Sequence, residues 1–342
     1  MNILAFESSC DETAAAVVAD GRTVRSSVLA SSADLHAVYG GVVPEIASRK
    51  HVEAIAGLAD EALRQAGLGR GAIDAVAVTY APGLIGAVLV GVNFAKSAAF
   101  ALGKPLIPVH HVRGHIAANY IAHPDLEPPF VCLCVSGGTT LIVQVKGYTE
   151  MEILGGTRDD AAGECFDKTA RVLGLGYPGG GPLDELARGG DDKAYHFPRA
   201  HVADNPMDLS FSGLKTAVLN LIHNAEQKGE PLNLPDLAAS FSAAVSDSLI
   251  PRVMEASKRC GYRKVAVAGG VAANSRIRRD LEQACAREQT ALWLPPLALC
   301  GDNAAMIGCQ GYYEYLAGHV ADLSLTAYAL RDRSATCPAR YS

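Results

Sequence analysis

The nine cysteines of this 342-residue chain include no CxxC pair; Cys132 and Cys134 stand one residue apart and the others are irregularly spaced. That pattern excludes a zinc ribbon or a disulfide scaffold and favours a reducing cytosol. A GxxxxGK[ST] stretch is missing, which rules out a P-loop ATPase, and no HExxH occurs. The opening MNILAFESSC carries no basic n-region and too short an apolar run for a secretory signal. Low-complexity segments and long linkers are lacking too. With a net charge of −6, the chain has no broad electrostatic attraction for nucleic acid. Any RNA it handles must be held by a local basic patch or by partner subunits.

What is there belongs to an ordinary globular protein. The chain is 49% hydrophobic and 19% charged, and its length suggests two domains. Thirty-four glycines, many in short runs, point to tight turns and close backbone approaches. One uncharged window, Ala75 to Ala95, has the length of a membrane span. Pro82, Gly83, Gly86 and Gly91 interrupt it, and it reads as a buried strand, a turn and a helix with no membrane role.

Hydrophobic patterning predicts a strand over Asn2–Glu7, a polar turn, a second strand over Thr13–Ala19 and a turn at Asp20-Gly21. A helix runs from Pro44 to about Gly67, with an apolar stripe of Ile55, Leu58, Ala59, Ala62 and Leu63. Further strands are predicted at Ile73–Tyr80 and Leu106–Val109, and helices at Leu84–Leu102 and His111–His123. Phe130–Ser136, the small-residue turn Gly137-Gly138-Thr139-Thr140 and Leu141–Lys146 then repeat the N-terminal pattern of strand, turn, strand. Two such units suggest a duplicated fold. The boundary is placed at Pro128-Pro129, giving lobes 1–129 and 130–342, with the C-terminal segment free to pack back on the first.

Three small-residue turns after apolar strands suit phosphate binding, because backbone N–H groups can approach the oxygens: Ser8 to Thr13, Ser136 to Thr140 and Ala268 to Val271. His111 and His115, four apart on a predicted helix, share a face where they can share a metal. As a bare HxxxH they read more readily as two unrelated histidines on an exposed helix, and Val112 stands where a zincin would have its glutamate. Asp302, in a Gly-Asp-Asn turn before a helix, is either a third ligand or the helix N-cap. Asp159-Asp160 and Glu164 either bind substrate hydroxyls or solvate a helix start. Arg276, Arg278 and Arg279 read better as an exposed helix face than as an RNA contact.

Taken in order, several stretches resemble the TsaD family of tRNA threonylcarbamoyladenosine transferases. They are ESSCDET at the N-terminus, HAVYGGVVPE from His36, HHVRGH from His110 and VSGG from Val135. GECFDKTARVLGLGYPGG from Gly163, SFSGLKTA from Ser210, AGGVAAN from Ala268 and DNAAMI from Asp302 complete the series. The resemblance implies an α/β protein of two duplicated actin/Hsp70/sugar-kinase-like lobes with nucleotide and metal in the cleft between them. It also implies transfer of a threonylcarbamoyl group from threonylcarbamoyl-AMP to adenosine 37 of tRNA, in the cytoplasm. By the same similarity His111, His115 and Asp302 bind one divalent metal, Fe(2+) before others, with Zn(2+) also suited to the ligand types. Cys134, Val135, Ser136, Gly137, Gly138, Asp167, Gly180, Asp184 and Asn274 fall at substrate- and nucleotide-contacting positions, and Asp11 at a carboxylate needed for activity. Implied partners are tRNA, a paralogous actin-like subunit of the TsaB type and a small P-loop ATPase of the TsaE type. Two departures lie near the expected metal. Thr139 replaces a histidine usual in bacterial members, and Cys134 stands where archaeal and eukaryotic relatives have a metal-binding tyrosine. The alternatives are a small-molecule carbamoyltransferase or kinase of the same fold, and a non-catalytic assembly subunit.

Overall fold

The computed structural model describes residues 1–199, 202 and 205–329. The chain divides into two compact units. One comprises Met1–Pro128, Lys146–Met151 and the described residues from Pro295 onward; the other comprises Pro129–Val145 and Glu152–Leu294. Residues 330–342, which the sequence assigns to the second lobe, lie outside the described residues.

The first unit is built on a five-stranded sheet of order β3-β2-β1-β4-β5. Its strands are β1 (Asn2–Glu7), β2 (Glu12–Ala19), β3 (Thr23–Ser31), β4 (Ala75–Ala81) and β5 (Leu106–His110). The hairpin strands pair antiparallel, whereas β1, β4 and β5 run parallel. A parallel sheet must be covered on both faces, so its strands read as continuous apolar runs. Alternation sorts the side chains: Leu4, Phe6, Ala15 and Val17 enter one core cluster, and Ile3, Ala5, Ala14 and Ala16 enter the other. Helices α2 (Pro44–Ala66) and α3 (Ile85–Leu102) cover the first face; α1 (Ala33–Ala37) is a short turn before them. The second face is covered by α4 (His111–Ala122) and by the last helix among the described residues, Ala304–Leu316.

By length and composition α3 could cross a membrane, with mean hydropathy 1.7. Val88, Val92, Ala95 and Ala99 on its inner side nevertheless belong to the core, as in the core helix of a folded unit.

The second unit repeats the plan. Its sheet has the order β10-β9-β6-β7-β8, from β6 (Phe130–Val135), β7 (Thr140–Val145), β8 (Met151–Gly156), β9 (Lys264–Ala268) and β10 (Ala291–Trp293). Again the hairpin β6/β7 is antiparallel and β6, β9 and β10 are parallel. The duplication expected from the sequence is therefore present strand for strand. Helices α5 (Ala162–Val172), α6 (Gly180–Leu186), α7 (Ser212–Lys228), α8 (Leu234–Cys260) and α9 (Ser275–Arg287) surround this sheet. The helix Ala304–Leu316 is α10. In each unit the turn inside the first hairpin, Ser8–Asp11 or Ser136–Thr139, occupies the same topological place.

Candidate functional site

Strand β5 passes into α4 without a loop, so His111 is the first helical residue and His115 lies one turn on. The helix is not an exposed one. Every residue from His111 to Tyr120 is buried, because the β5 sheet face lies beneath it and α10 packs along it. Asn303 caps α10, its Oδ1 accepting from the Met306 amide at 2.9 Å. That leaves the preceding Asp302 to face α4. Its Oδ1 sits 3.1 Å from His115 Nε2 and 3.4 Å from His111 Nε2, and one ligand atom from each residue lies within 4.8 Å of the others. Among the described residues, neither ring nitrogen of the buried His115 makes a hydrogen bond. A buried imidazole without partners, beside a second imidazole and a carboxylate, is a donor set that fits a divalent ion of the first transition series.

Between the protein groups alone, opposing terms are large. Burial pushes the His111 imidazolium down, but the carboxylates of Glu7 and Asp302 outweigh it and hold the ring well above its ordinary value. Burial likewise raises the carboxyls of Asp302 and Glu7, and His111 more than reverses it, leaving both lowered. The site thus collects one buried carboxylate, Glu7, and one part-buried carboxylate, Asp302, which favour positive charge beside them.

Asp11 lies in the β1–β2 turn and is buried. Its carbonyl accepts from Ser32, from the amide at 3.0 Å and from the hydroxyl at 2.8 Å. His51 Nε2 bonds the Cys10 carbonyl at 2.9 Å, and its Nδ1 meets Thr13 Oγ1 at 2.7 Å. The turn is therefore pinned to α1 and α2 on both sides of Asp11. Next to it, burial and then the Asp11 and Asp302 charges push Glu12 up to about 9.

In the second unit the candidate residues form a chain of contacts. The carbonyls of Ser136 and Gly137 accept from the Gly163 and Glu164 amides at the start of α5. Asp167 on α5 accepts from the Gly179 amide at 2.8 Å, just before Gly180 opens α6. Asp184 on α6 accepts from the Ser275 hydroxyl at 2.8 Å, and Asn274 caps α9 by accepting from the Ile277 amide at 3.0 Å. The glycines divide into two kinds. A Cβ on Gly163 or Gly269 would strike the Ser136 or Val135 carbonyl at 2.4 or 2.3 Å. Gly137, Gly138, Gly180 and Gly270 have open space where a side chain would stand. The first kind is fixed by protein packing; the second leaves backbone amides approachable. Val135 and Cys134 are buried, and Cys134 Sγ lies 3.8 Å from Cys132 Sγ on the same strand face.

Two clusters are absorbed by the fold. Asp159 takes hydrogen bonds from Ser210, from the Phe211 amide at 2.7 Å and from the Ser212 hydroxyl at 2.9 Å, which ties it to the start of α7. Arg276 pairs with Asp192 and Asp280, and Arg278 Nε donates to the Ala272 carbonyl at 2.6 Å. Conversely, Glu7 and Glu12 stand beside the candidate residues, yet the sequence, which places both in the ESSCDET stretch, gives neither an individual role. The available signal was an acidic residue bounding an otherwise apolar strand, at the end of β1 and the start of β2.

Comparison with known proteins bears on both units. The family profile described as tRNA N6-adenosine threonylcarbamoyltransferase matches residues 23–309. A protein of that name from Moorella thermoacetica is 56% identical over 326 residues, covering 95% of each chain. Another, from Clostridium botulinum, is 53% identical over 327 residues, covering 96% of each. Among solved structures, HypF of T. kodakarensis superposes with a TM-score of 0.64 at 17% identity, over 96% of this chain and 50% of that one. That likeness shows the actin-like ATPase/sugar-kinase fold.

Proposed function

The chain belongs to the tRNA N6-adenosine threonylcarbamoyltransferase family, and from that premise we propose that it moves a threonylcarbamoyl group from threonylcarbamoyl-AMP to the exocyclic amine of adenosine 37 in tRNAs reading codons that begin with A. The amine nitrogen bonds to the carbamoyl carbon, the bond from that carbon to the phosphate oxygen breaks, and AMP leaves. The observation that carries this reading is the convergence of His111, His115 and Asp302 in a buried site of a chain with this family membership.

His111, His115 and Asp302 hold one divalent ion in this reading. Two imidazoles and a carboxylate suit Fe(2+), and Zn(2+) accepts the same donors. Bound there, the ion supplies Lewis-acid stabilisation of charge on the carbonyl and on the departing phosphate. Asp11, held by its backbone to Ser32, takes the proton that the attacking amine gives up. Burial and the neighbouring Asp11 carboxylate raise the Glu12 carboxyl, which disfavours a second negative charge in the turn. The exposed amides of Gly137 and Gly138, with the Thr139 hydroxyl, bind phosphate oxygens. Asp167, Gly180, Asp184 and Asn274 hold α5, α6 and α9 in register around the nucleotide.

A paralogous actin-like subunit and a small P-loop ATPase assist in the cytoplasm. In the basic run of α9, Arg276 is engaged by Asp192 and Asp280 and Arg278 by the Ala272 carbonyl, so tRNA is held with help from those partners. The assembly-subunit alternative is disfavoured by the retained donor set. The deciding experiment is mass spectrometry of tRNA nucleosides from a strain depleted of this protein. Loss of threonylcarbamoyladenosine, restored by the parent chain but not by His115→Ala, is expected. Unchanged nucleosides on depletion would refute the reading.

A further inference from the structure

Glu7 ends β1 with its side chain fully buried. A carboxylate there is tolerated only where donors surround it. The Ser9 amide donates to Oε1 at 2.6 Å, and the Thr79 hydroxyl donates to Oε2 at 2.6 Å. The remaining partner is His111 Nδ1, 2.8 Å from Oε2. An ionised carboxylate oxygen only accepts, so Nδ1 carries the hydrogen. In the neutral ring Nε2 is then the nitrogen with a lone pair, and Nε2 is the one turned toward Asp302 and His115.

We infer that Glu7 is the positioning residue of the candidate metal centre. It fixes His111 in the Nδ1–H form with Nε2 aimed at the shared point, and it adds a buried negative charge to that of the part-buried Asp302. This rests on the reading of His111, His115 and Asp302 as metal ligands. Thr79, on the neighbouring strand β4, and the Ser9 amide orient Glu7 in turn, so the arrangement spans β1, its following turn, β4 and α4. The two histidines are unequal. His115 Nδ1 has no hydrogen-bond partner among the described residues, and no carboxylate holds that ring from behind. Glu7 therefore acts on one ligand of the set, and its loss weakens the site without abolishing it. Partners of this kind behind a metal-bound histidine contribute about 10–100-fold in metal affinity.

The test uses the purified full chain and Zn(2+), titrated against a chromogenic chelator, with Co(2+) absorption as a second readout of ligand geometry. His115→Ala establishes the site itself: the stoichiometric ion of the parent must disappear. Glu7→Gln, isosteric and uncharged, is expected to keep one ion per chain, bound about 10–100-fold more weakly, with an altered Co(2+) spectrum and a circular dichroism spectrum matching the parent. Thr79→Val should weaken binding by a smaller factor in the same direction. If Glu7→Gln is folded and binds Zn(2+) within about two-fold of the parent, the proposal is wrong while the metal reading stands. If Glu7→Gln fails to fold, Thr79→Val decides, and affinity within about two-fold of the parent overturns the proposal. If the parent holds no ion that His115→Ala removes, the metal reading and this inference fall together.

Discussion

His115 Nε2 lies 3.1 Å from Asp302 Oδ1, yet the two do not meet at a hydrogen-bonding angle. Their approach is set by the packing of α10 against α4, with Asn303 taking the cap and releasing Asp302. A buried imidazole and a part-buried carboxylate oriented past each other, with a second imidazole 3.4 Å from the same oxygen, present their lone pairs to a third body.

Removing that imidazole should therefore remove a bound ion. In His111→Ala and His115→Ala, metal content after purification is expected to fall to background, and transfer activity with it. Because α4 is buried all round, these substitutions also leave cavities, at a cost of about 1–3 kcal/mol. An exposed helix would have cost almost nothing. Metal analysis paired with a denaturation midpoint separates the two effects. Undiminished metal in the double variant would show that the ions bind elsewhere.

Glu12 gives a pH signature. Its carboxyl is pushed up to about 9 from an ordinary 4.5, first by burial and then by Asp11 and Asp302. The folded chain holds this proton more tightly than the unfolded chain does. The stabilisation is thus complete below about 4.5 and is lost as pH rises toward 9. Across that window the slope from this one group approaches about 1.4 kcal/mol per pH unit, less whatever solvent screening removes. Glu12→Gln carries no proton to lose, so urea midpoints measured from pH 6 to 9 should flatten relative to the parent. Parallel curves for the two proteins would mean that Glu12 is not protonated in the fold.

The duplicated plan was legible because its central strands are buried on both faces and read as unbroken apolar runs. The elements that escaped are those without such a signature. Strand β3 carries Arg25 and three serines along an edge with few buried side chains, and β8 ends in two glycines. Helix α6 begins Gly-Gly-Pro and lasts seven residues, too short for a helical stripe. In the site, His111, His115 and Asp302 could be proposed from spacing and motif. Glu7 could not, because its importance lies in a contact 104 residues away in sequence. The same distance hid the burial of α4: an HxxxH reads alike on a surface and under a second helix.

The isolated chain should turn over slowly. It has a net charge of −6, and the arginine run of α9 is committed to Asp192, Asp280 and the Ala272 carbonyl. Phosphate contacts dominate nucleic-acid affinity and need free cations. With threonylcarbamoyl-AMP and unmodified tRNA, we expect at most slow turnover by the chain alone and repeated turnover once the paralogous subunit and the ATPase are added. Fast multiple turnover by the chain alone would contradict the partner requirement.

The glycines of the β6–β7 turn allow a sharper test of where the nucleotide sits. A Cβ added at Gly138 would have nothing within 4 Å, and the backbone there is not left-handed, so alanine meets no protein atom. Gly163 is the opposite case, since a Cβ would lie 2.4 Å from the Ser136 carbonyl. Gly163→Ala should therefore destabilise the second unit by about 1–3 kcal/mol through overpacking. Gly138→Ala should leave stability within about 0.5 kcal/mol, but its methyl group would occupy the space through which a phosphate reaches the turn amides. AMP affinity, measured by calorimetry, is then expected to fall about tenfold, a difference of about 1.4 kcal/mol. The contrast matters because a fall in nucleotide binding without loss of stability can only arise from the open side of the turn. If Gly138→Ala binds AMP as tightly as the parent, the phosphate does not approach these amides, and the glycines serve the turn alone.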